Sequence, residues 1–288
     1  MLHLNADETR LALPMDLAIQ SMVRAFSGSS ETPLRTLVGG SLVMPGRLDD
    51  VVGVKVVSVI PGSPAGIVAV FGADGSPVGI VDGPTLTAIR TGAVCGLATS
   101  LMAAEEPARL AMLGAGAMAR DQVEAVRAVR ELSEVLVWSR SSERAESLAQ
   151  QVGGRAIGDP DEAVAGADIV SCATPATSPL FDGDAVRDGA HVNAVGAFTP
   201  AMAELPPNLL EGAFVVVDDI DAAAAEAGDL IQAGRLPDTA LREILVGDVN
   251  VDRSRTTVFK SVGIAAQDVA AAAAALERAE AMHLGTRL

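Results

Sequence analysis

The stretch Arg109-Leu-Ala-Met-Leu-Gly-Ala-Gly-Ala-Met-Ala-Arg120 decides how the rest of the chain is read. Residues 110–113 are an apolar run of strand length. Gly114, Ala115 and Gly116 then impose a tight turn, and residues 117–129 place Val123, Val126 and Val129 along one side of a helix. The spacing Gly114-x-Gly116-x-x-Ala119 fits the dinucleotide fingerprint with a small third residue. Gly114 lets the turn close, Gly116 lets a pyrophosphate approach the backbone, and Ala119 lets the helix lie close to the strand. The helix start at Ala117 and Met118 adds free N–H groups and a positive partial charge. A second strand over residues 135–138 completes the strand–turn–helix–strand context.

Outward from this stretch, strands and helices alternate. The strand candidates are 110–113, 135–138, 169–173, 191–195 and 214–217. That rhythm predicts a parallel, doubly wound sheet of the Rossmann type. Upstream lie a helix over 14–26, loosely alternating strand sequence over 33–44 and a β-branched run over 51–60. A hairpin over 65–81 turns at Asp74-Gly75, and a helix capped by Thr85 runs to Ala104. Pro107 marks a boundary. Downstream, an extended run over 256–259 precedes an alanine-rich helix over 264–282, expected to fold back on the first domain. The architecture is thus α/β, with a dinucleotide-binding Rossmann domain (107–254) inserted in an α+β domain of mostly antiparallel strands (1–106 plus 255–288).

The 288 residues suffice for two domains. A net charge of −16 argues against nucleic acid and anionic membrane surfaces as partners. Cys95 and Cys172 cannot make a disulfide framework and read as core thiols. His3, His191 and His283 have no paired ligand spacing, so no metal site is expected. No apolar run reaches membrane-spanning length and the N-terminus lacks a signal pattern, which makes the cytoplasm the simplest location.

Lys55 is centred in a strand that is apolar on both faces. It either meets a carboxylate, a ligand or water there, or snorkels out at the strand rim. Arg35 and Arg90 each stand in an uncharged stretch. Arginine offers the planar fork that binds a carboxylate, and equally serves at a surface or in packing. Ser139-Arg140-Ser141 ends the second nucleotide-domain strand, where NAD-preferring sites place an acidic residue. Hydroxyls and a cation there suit a 2′-phosphate, so NADP(H) is favoured, with NAD(H) possible. Thr174 and Val195 lie in loops that follow later strands, where such sheets bind ligands, and residues 259–263 are a third, ambiguous candidate.

The chain resembles the ornithine cyclodeaminase/mu-crystallin family almost end to end. The matching pieces are Arg35-Thr36, Met44-Pro45, Lys55, Asp82-Gly83, Leu86-Thr87 with Arg90-Thr91, and Leu113-Gly-Ala-Gly116. They continue through Ala167-Asp-Ile-Val170, Gly189 to Gly196, Glu204-Leu205, Ala227-Gly-Asp229 and Phe259-Lys-Ser-Val-Gly263. The stretch between Met44 and Lys55 is short for the family.

The resemblance implies a homodimer, with the first domain and C-terminal helix forming the dimer contact and binding substrate. It assigns Arg35, Lys55 and Arg90 to the substrate carboxylate, gives Lys55 a part in proton transfer, and puts Thr91 and Ser261 near the cofactor. The cyclodeaminases carry an aspartate where this chain has Phe198, which cannot exchange a proton and offers an apolar wall instead. The expected activity is NADPH-dependent reduction of a small cyclic imino acid, Δ1-pyrroline-2-carboxylate or Δ1-piperideine-2-carboxylate. Ornithine cyclodeaminase, an amino-acid dehydrogenase and a non-turning-over NADPH/ligand-binding crystallin-like protein are the alternatives.

Overall fold

A computed structural model describes residues 1–60, 65–106 and 108–288. Pro107, read above as a boundary, lies outside the described residues. The chain divides into two compact units, Met1–Ala93 with Ile264–Leu288, and Val94–Gly263. The division falls inside the helix Gly83–Met102.

The first unit is built on one mixed sheet. Its strands run in the order Thr286–Arg287, Leu2–Leu4, Pro77–Asp82, Gly66–Phe71, Val51–Ser58, Ser41–Leu48, Ser30–Glu31, with Thr36–Val38 also pairing to Ser41–Leu48. All pairings are antiparallel except Leu2–Leu4 with Pro77–Asp82. Strands Ser41–Leu48 and Val51–Ser58 join through two residues, with Asp49 in the left-handed region at φ 52°. This tight turn accounts for the short stretch between Met44 and Lys55.

One face of that sheet receives the C-terminal helix Ala265–Ala281. A row of residues runs Gly46, Gly53, Val70, Gly79, Leu2 across five strands. A Cβ on Gly46 would come within 2.6 Å of Ala265, and one on Gly53 within 2.8 Å of Val269. The glycines form a trough, and the alanine-rich helix is narrow enough to settle into it. The adjacent buried row is Met44, Lys55, Val68, Val81, Leu4, so Lys55 faces the helix. The tail helix therefore packs on the first domain's sheet, as the sequence reading expects.

The second unit is an eight-stranded parallel sheet. Its order is Arg155–Ala156, Leu132–Trp138, Ala108–Leu113, Ile169–Cys172, His191–Ala194, Thr257–Lys260, Phe214–Val217, Thr239–Ala240. The doubly wound parallel sheet is the fold expected. One strand is placed differently. Thr257–Lys260, read as the start of the returning tail, pairs inside this sheet between His191–Ala194 and Phe214–Val217. Its four residues are all buried, which an interior parallel strand requires.

Local starts also differ from the sequence reading. The fingerprint helix begins at Ala119, after a turn through Gly116 to Met118. The helix Gly83–Met102 is capped by Asp82, whose carboxylate accepts the Thr85 N–H at 2.9 Å, so Thr85 lies inside the first turn. The N-terminal helix Ala6–Ala12, absent from the sequence reading, rests on a reciprocal Asn5–Glu8 capping box. No helix among the described residues is long and apolar enough to cross a membrane.

Candidate active site

Three apolar segments each carry a single charge. Lys55 is the only charged residue in Val51–Ser58, Arg90 the only one in Gly83–Met102, and Asp268 the only one over 265–276. A lone buried charge is stable only beside an opposite one. The fold brings these three together. Lys55 Nζ lies 2.7 Å from Asp268 Oδ2, and Arg90 Nε lies 3.0 Å from Asp268 Oδ1. Arg90 Nη1 donates to Gln267 Oε1 at 2.7 Å. Lys55 is 3% exposed, Arg90 5% and Asp268 1%. The snorkelling alternative for Lys55 is thereby removed.

Electrostatics inside the cluster are uneven. Burial pulls the Lys55 ammonium down to a pKa of about 8; Asp268 opposes this, while Arg90 and Arg35 reinforce it. Burial alone would raise the Asp268 carboxyl, but Lys55 and Arg90 outweigh it and hold the pKa below the usual value. Arg35 is half-buried beside the strand Thr36–Val38. Lys55 and Arg90 thus place two cations on one carboxylate, an excess that calls for an anion.

The second unit holds an open cleft of about 350 Å³ at the carboxyl ends of its strands. It lies where strand order reverses, between Ala108–Leu113 and its two neighbours. Gly114, Gly116, Ser139, Arg140 and Thr174 line it, and Arg144, which the sequence reading passed over, lines it too. Gly114 has φ 113°, and a Cβ there would fall 2.6 Å from the Ala173 carbonyl oxygen. A Cβ on Gly116 would meet no atom within 4 Å, so that backbone faces open space. A required first glycine, an open second one and a basic rim fit a dinucleotide.

The remaining candidates are not part of that lining. Ala117 and Met118 lie in the turn, and Ser141 caps the helix Ser142–Val152 by accepting the Arg144 N–H at 3.3 Å. Val195 is buried, its N–H donating to the Cys172 carbonyl at 3.0 Å. Ser261 is also buried, and its hydroxyl donates to Asp218 at 2.7 Å. Thr91 is buried next to Arg90 in the same helix. Phe198 is 38% exposed in the loop after His191–Ala194.

Two buried carboxylates shape the loops at this end of the sheet. Glu204 accepts the Thr174 N–H at 2.6 Å, the Thr174 hydroxyl at 2.9 Å and the Gly196 N–H at 2.6 Å. Burial raises its pKa, against the pull of Lys260. Asp218 accepts the Val262 N–H at 3.1 Å and the Gly263 N–H at 2.6 Å besides Ser261. Sequence reasoning met Glu204 only within the resemblance and missed Asp218, Asp268 and Gln267.

His191 takes no part in acid–base work near neutrality. Burial lowers its pKa to about 4, and its ring nitrogens are bonded to Thr257 and Asn193.

Comparison with known proteins places the chain in a family. The model of the ornithine cyclodeaminase/mu-crystallin family matches residues 18–283. The chain belongs to that family. Ketimine reductase mu-crystallin of Mus musculus is 34% identical over 277 residues, covering 90% of this chain and 88% of the relative. Delta(1)-pyrroline-2-carboxylate reductase of Bacillus cereus is 33% identical over 325 residues, covering 100% and 99%. The structure of Thermococcus litoralis Delta(1)-pyrroline-2-carboxylate reductase in complex with NADH and L-proline superposes with a TM-score of 0.94, at 30% identity over the full length of both chains.

Proposed function

We propose that the protein reduces the C=N bond of a small cyclic imino acid, Δ1-pyrroline-2-carboxylate or Δ1-piperideine-2-carboxylate, giving proline or pipecolate. The carrying observation is the buried pair Lys55 and Arg90, two cations on the single carboxylate of Asp268, which offers a place for a second carboxylate. The relatives named ketimine reductase and pyrroline-2-carboxylate reductase supply the reaction class. When bound, NAD(P)H supplies the hydride.

The chain's own residues do the rest. Arg35 and Arg90 hold the substrate carboxylate, Arg90 through the N–H groups left over from Asp268 and Gln267, and the Lys55 ammonium adds a third charge. Clamping fixes the imine carbon for attack, which is catalysis by positioning. The imine nitrogen takes up one proton as the hydride adds to carbon. With a pKa of about 8, Lys55 is matched to give that proton near neutral pH, and the alternative source is solvent. Gly114 and Gly116 hold the dinucleotide backbone. Arg140, Arg144 and Ser139, with no acidic residue at the end of Leu132–Trp138, favour NADP(H).

Phe198 and its neighbours Ala197 and Thr199 carry no carboxylate, which argues against cyclodeamination. A homodimer belongs to the same reading. Val52, Ile67 and Val78, each more than two-fifths exposed, lie on the sheet face away from the C-terminal helix. Such an apolar face is a natural subunit contact.

The test is NADPH oxidation at 340 nm with each imine, and NADH in parallel. Imine-dependent oxidation that prefers NADPH is expected. Ammonia release from ornithine with catalytic NAD, and no imine turnover, would replace this reading with cyclodeamination. NADP⁺ reduction by an open-chain amino acid would replace it with dehydrogenation.

A further inference from the structure

We propose that Asp268 is a positioning residue. It bridges Lys55 and Arg90 so that the two cations stand as one preformed carboxylate receptor, with Lys55 kept as the ammonium. The proposal rests on the reading that this cluster binds the substrate carboxylate.

Three observations carry it. First, one carboxylate serves both cations, Oδ2 toward Lys55 at 2.7 Å and Oδ1 toward Arg90 at 3.0 Å, all three side chains being buried. Gln267, one residue earlier, takes Arg90 Nη1, so the guanidinium is fixed at two of its nitrogens. Second, the location of Asp268 is set by packing. It lies in the first turn of Ala265–Ala281, between Ala265, seated on Gly46, and Val269, seated on Gly53. The positive end of the helix favours an anion there. Third, the charges acting on Lys55 oppose one another. Arg90 from the helix Gly83–Met102 and Arg35 beside Thr36–Val38 both repel the ammonium, and burial does the same; among the described residues Asp268 is the group that holds it.

Lys55 and Lys260 are the only lysines in the sequence. A protein labelled at lysine ¹³Cε and ¹⁵Nζ therefore gives two side-chain signals, assigned through Lys260→Arg. In the wild type the Lys55 signal should titrate near pH 8. In Asp268→Asn its midpoint should fall by about one unit or more. The alkaline limb of log(kcat/KM) for the imine should fall by the same amount, with KM raised about 100-fold. Asp268→Glu keeps the charge and should restore the titration midpoint while KM stays raised about 10-fold.

A folded Asp268→Asn protein with an unmoved Lys55 midpoint and wild-type KM overturns the proposal. If Asp268→Asn does not fold, Asp268→Glu decides, and wild-type KM in that variant overturns it. The lysine titration needs no turnover. A wild type that reduces no imine, yet loses the Lys55 midpoint in Asp268→Asn, would refute the proposed activity and leave the bridging role standing.

Discussion

Lys55 and Lys260 are both buried and each lies against an aspartate, but their surroundings differ. Lys260 Nζ is 2.9 Å from Asp229 Oδ2, and neither side chain is exposed. The other Asp229 oxygen accepts the N–H groups of Glu204 and Leu205, and Glu204 in turn accepts N–H groups from Thr174 and Gly196. That set has two carboxylates to one cation, and its surplus negative charge is taken up by backbone donors. Around Lys55 the surplus is positive, and among the described residues its carboxylate meets the side chains of Lys55 and Arg90. A buried cluster whose charges are answered by backbone holds loops in place. A cluster left with excess cation awaits a ligand.

Exchanging the two lysines for a neutral chain of similar shape should separate these roles. Lys55→Met leaves Asp268 paired with Arg90, so the thermal midpoint should move little. Its kcat/KM for the imine should fall about 10³-fold, a loss of roughly 4 kcal/mol of transition-state stabilisation. Lys260→Met strands two buried carboxylates and should lose about 3–5 kcal/mol of stability. That is a midpoint drop of roughly 10 °C by calorimetry. Equal effects in both assays would erase the distinction.

The fingerprint glycines offer a second contrast. Gly114→Ala places a methyl against the Ala173 carbonyl in a left-handed backbone and should lower both stability and dinucleotide affinity. Gly116→Ala meets nothing in the protein, so its midpoint should hold while dinucleotide Kd rises about 10-fold. Differential scanning fluorimetry with titrated NADPH separates the two.

Smaller effects concern selectivity and pH. Arg140→Ser with Arg144→Ser should reduce the NADPH over NADH ratio of kcat/KM by about 10- to 100-fold, mostly through KM for NADPH. Lys55 is charged below its pKa and neutral above it. A reaction that needs the ammonium should therefore lose kcat/KM as pH rises through about 8. His191, neutral down to about pH 4, should leave no limb near neutrality.

Much of this was legible in the sequence because it is local. Gly114, Gly116 and Ala119 carry their meaning within a few residues, and Lys55 and Arg90 stand out against apolar neighbours. What escaped depends on distant pairing. Asp268 in a helical first turn is unremarkable by itself, since any acidic residue suits that end of a helix. Its partner Arg90 lies 178 residues away along the chain. Its one signal was isolation, the single charge over 265–276 answering lone charges elsewhere. Thr257–Lys260 escaped for a related reason. A short buried run, Thr-Val-Phe-Lys, announces a strand and not which sheet it enters, and its neighbours at His191–Ala194 and Phe214–Val217 are fixed by topology.

The central claim is that the Lys55 cluster recognises a carboxylate on a cyclic imine. The direct measurement compares kcat/KM, with NADPH, for Δ1-pyrroline-2-carboxylate and for Δ1-pyrroline, the same ring without its acid group. The account predicts ready turnover of the acid and a value about 10³-fold lower for the bare ring, since the clamp then has nothing to hold. Equal turnover of the two rings, or none of the acid, would contradict it.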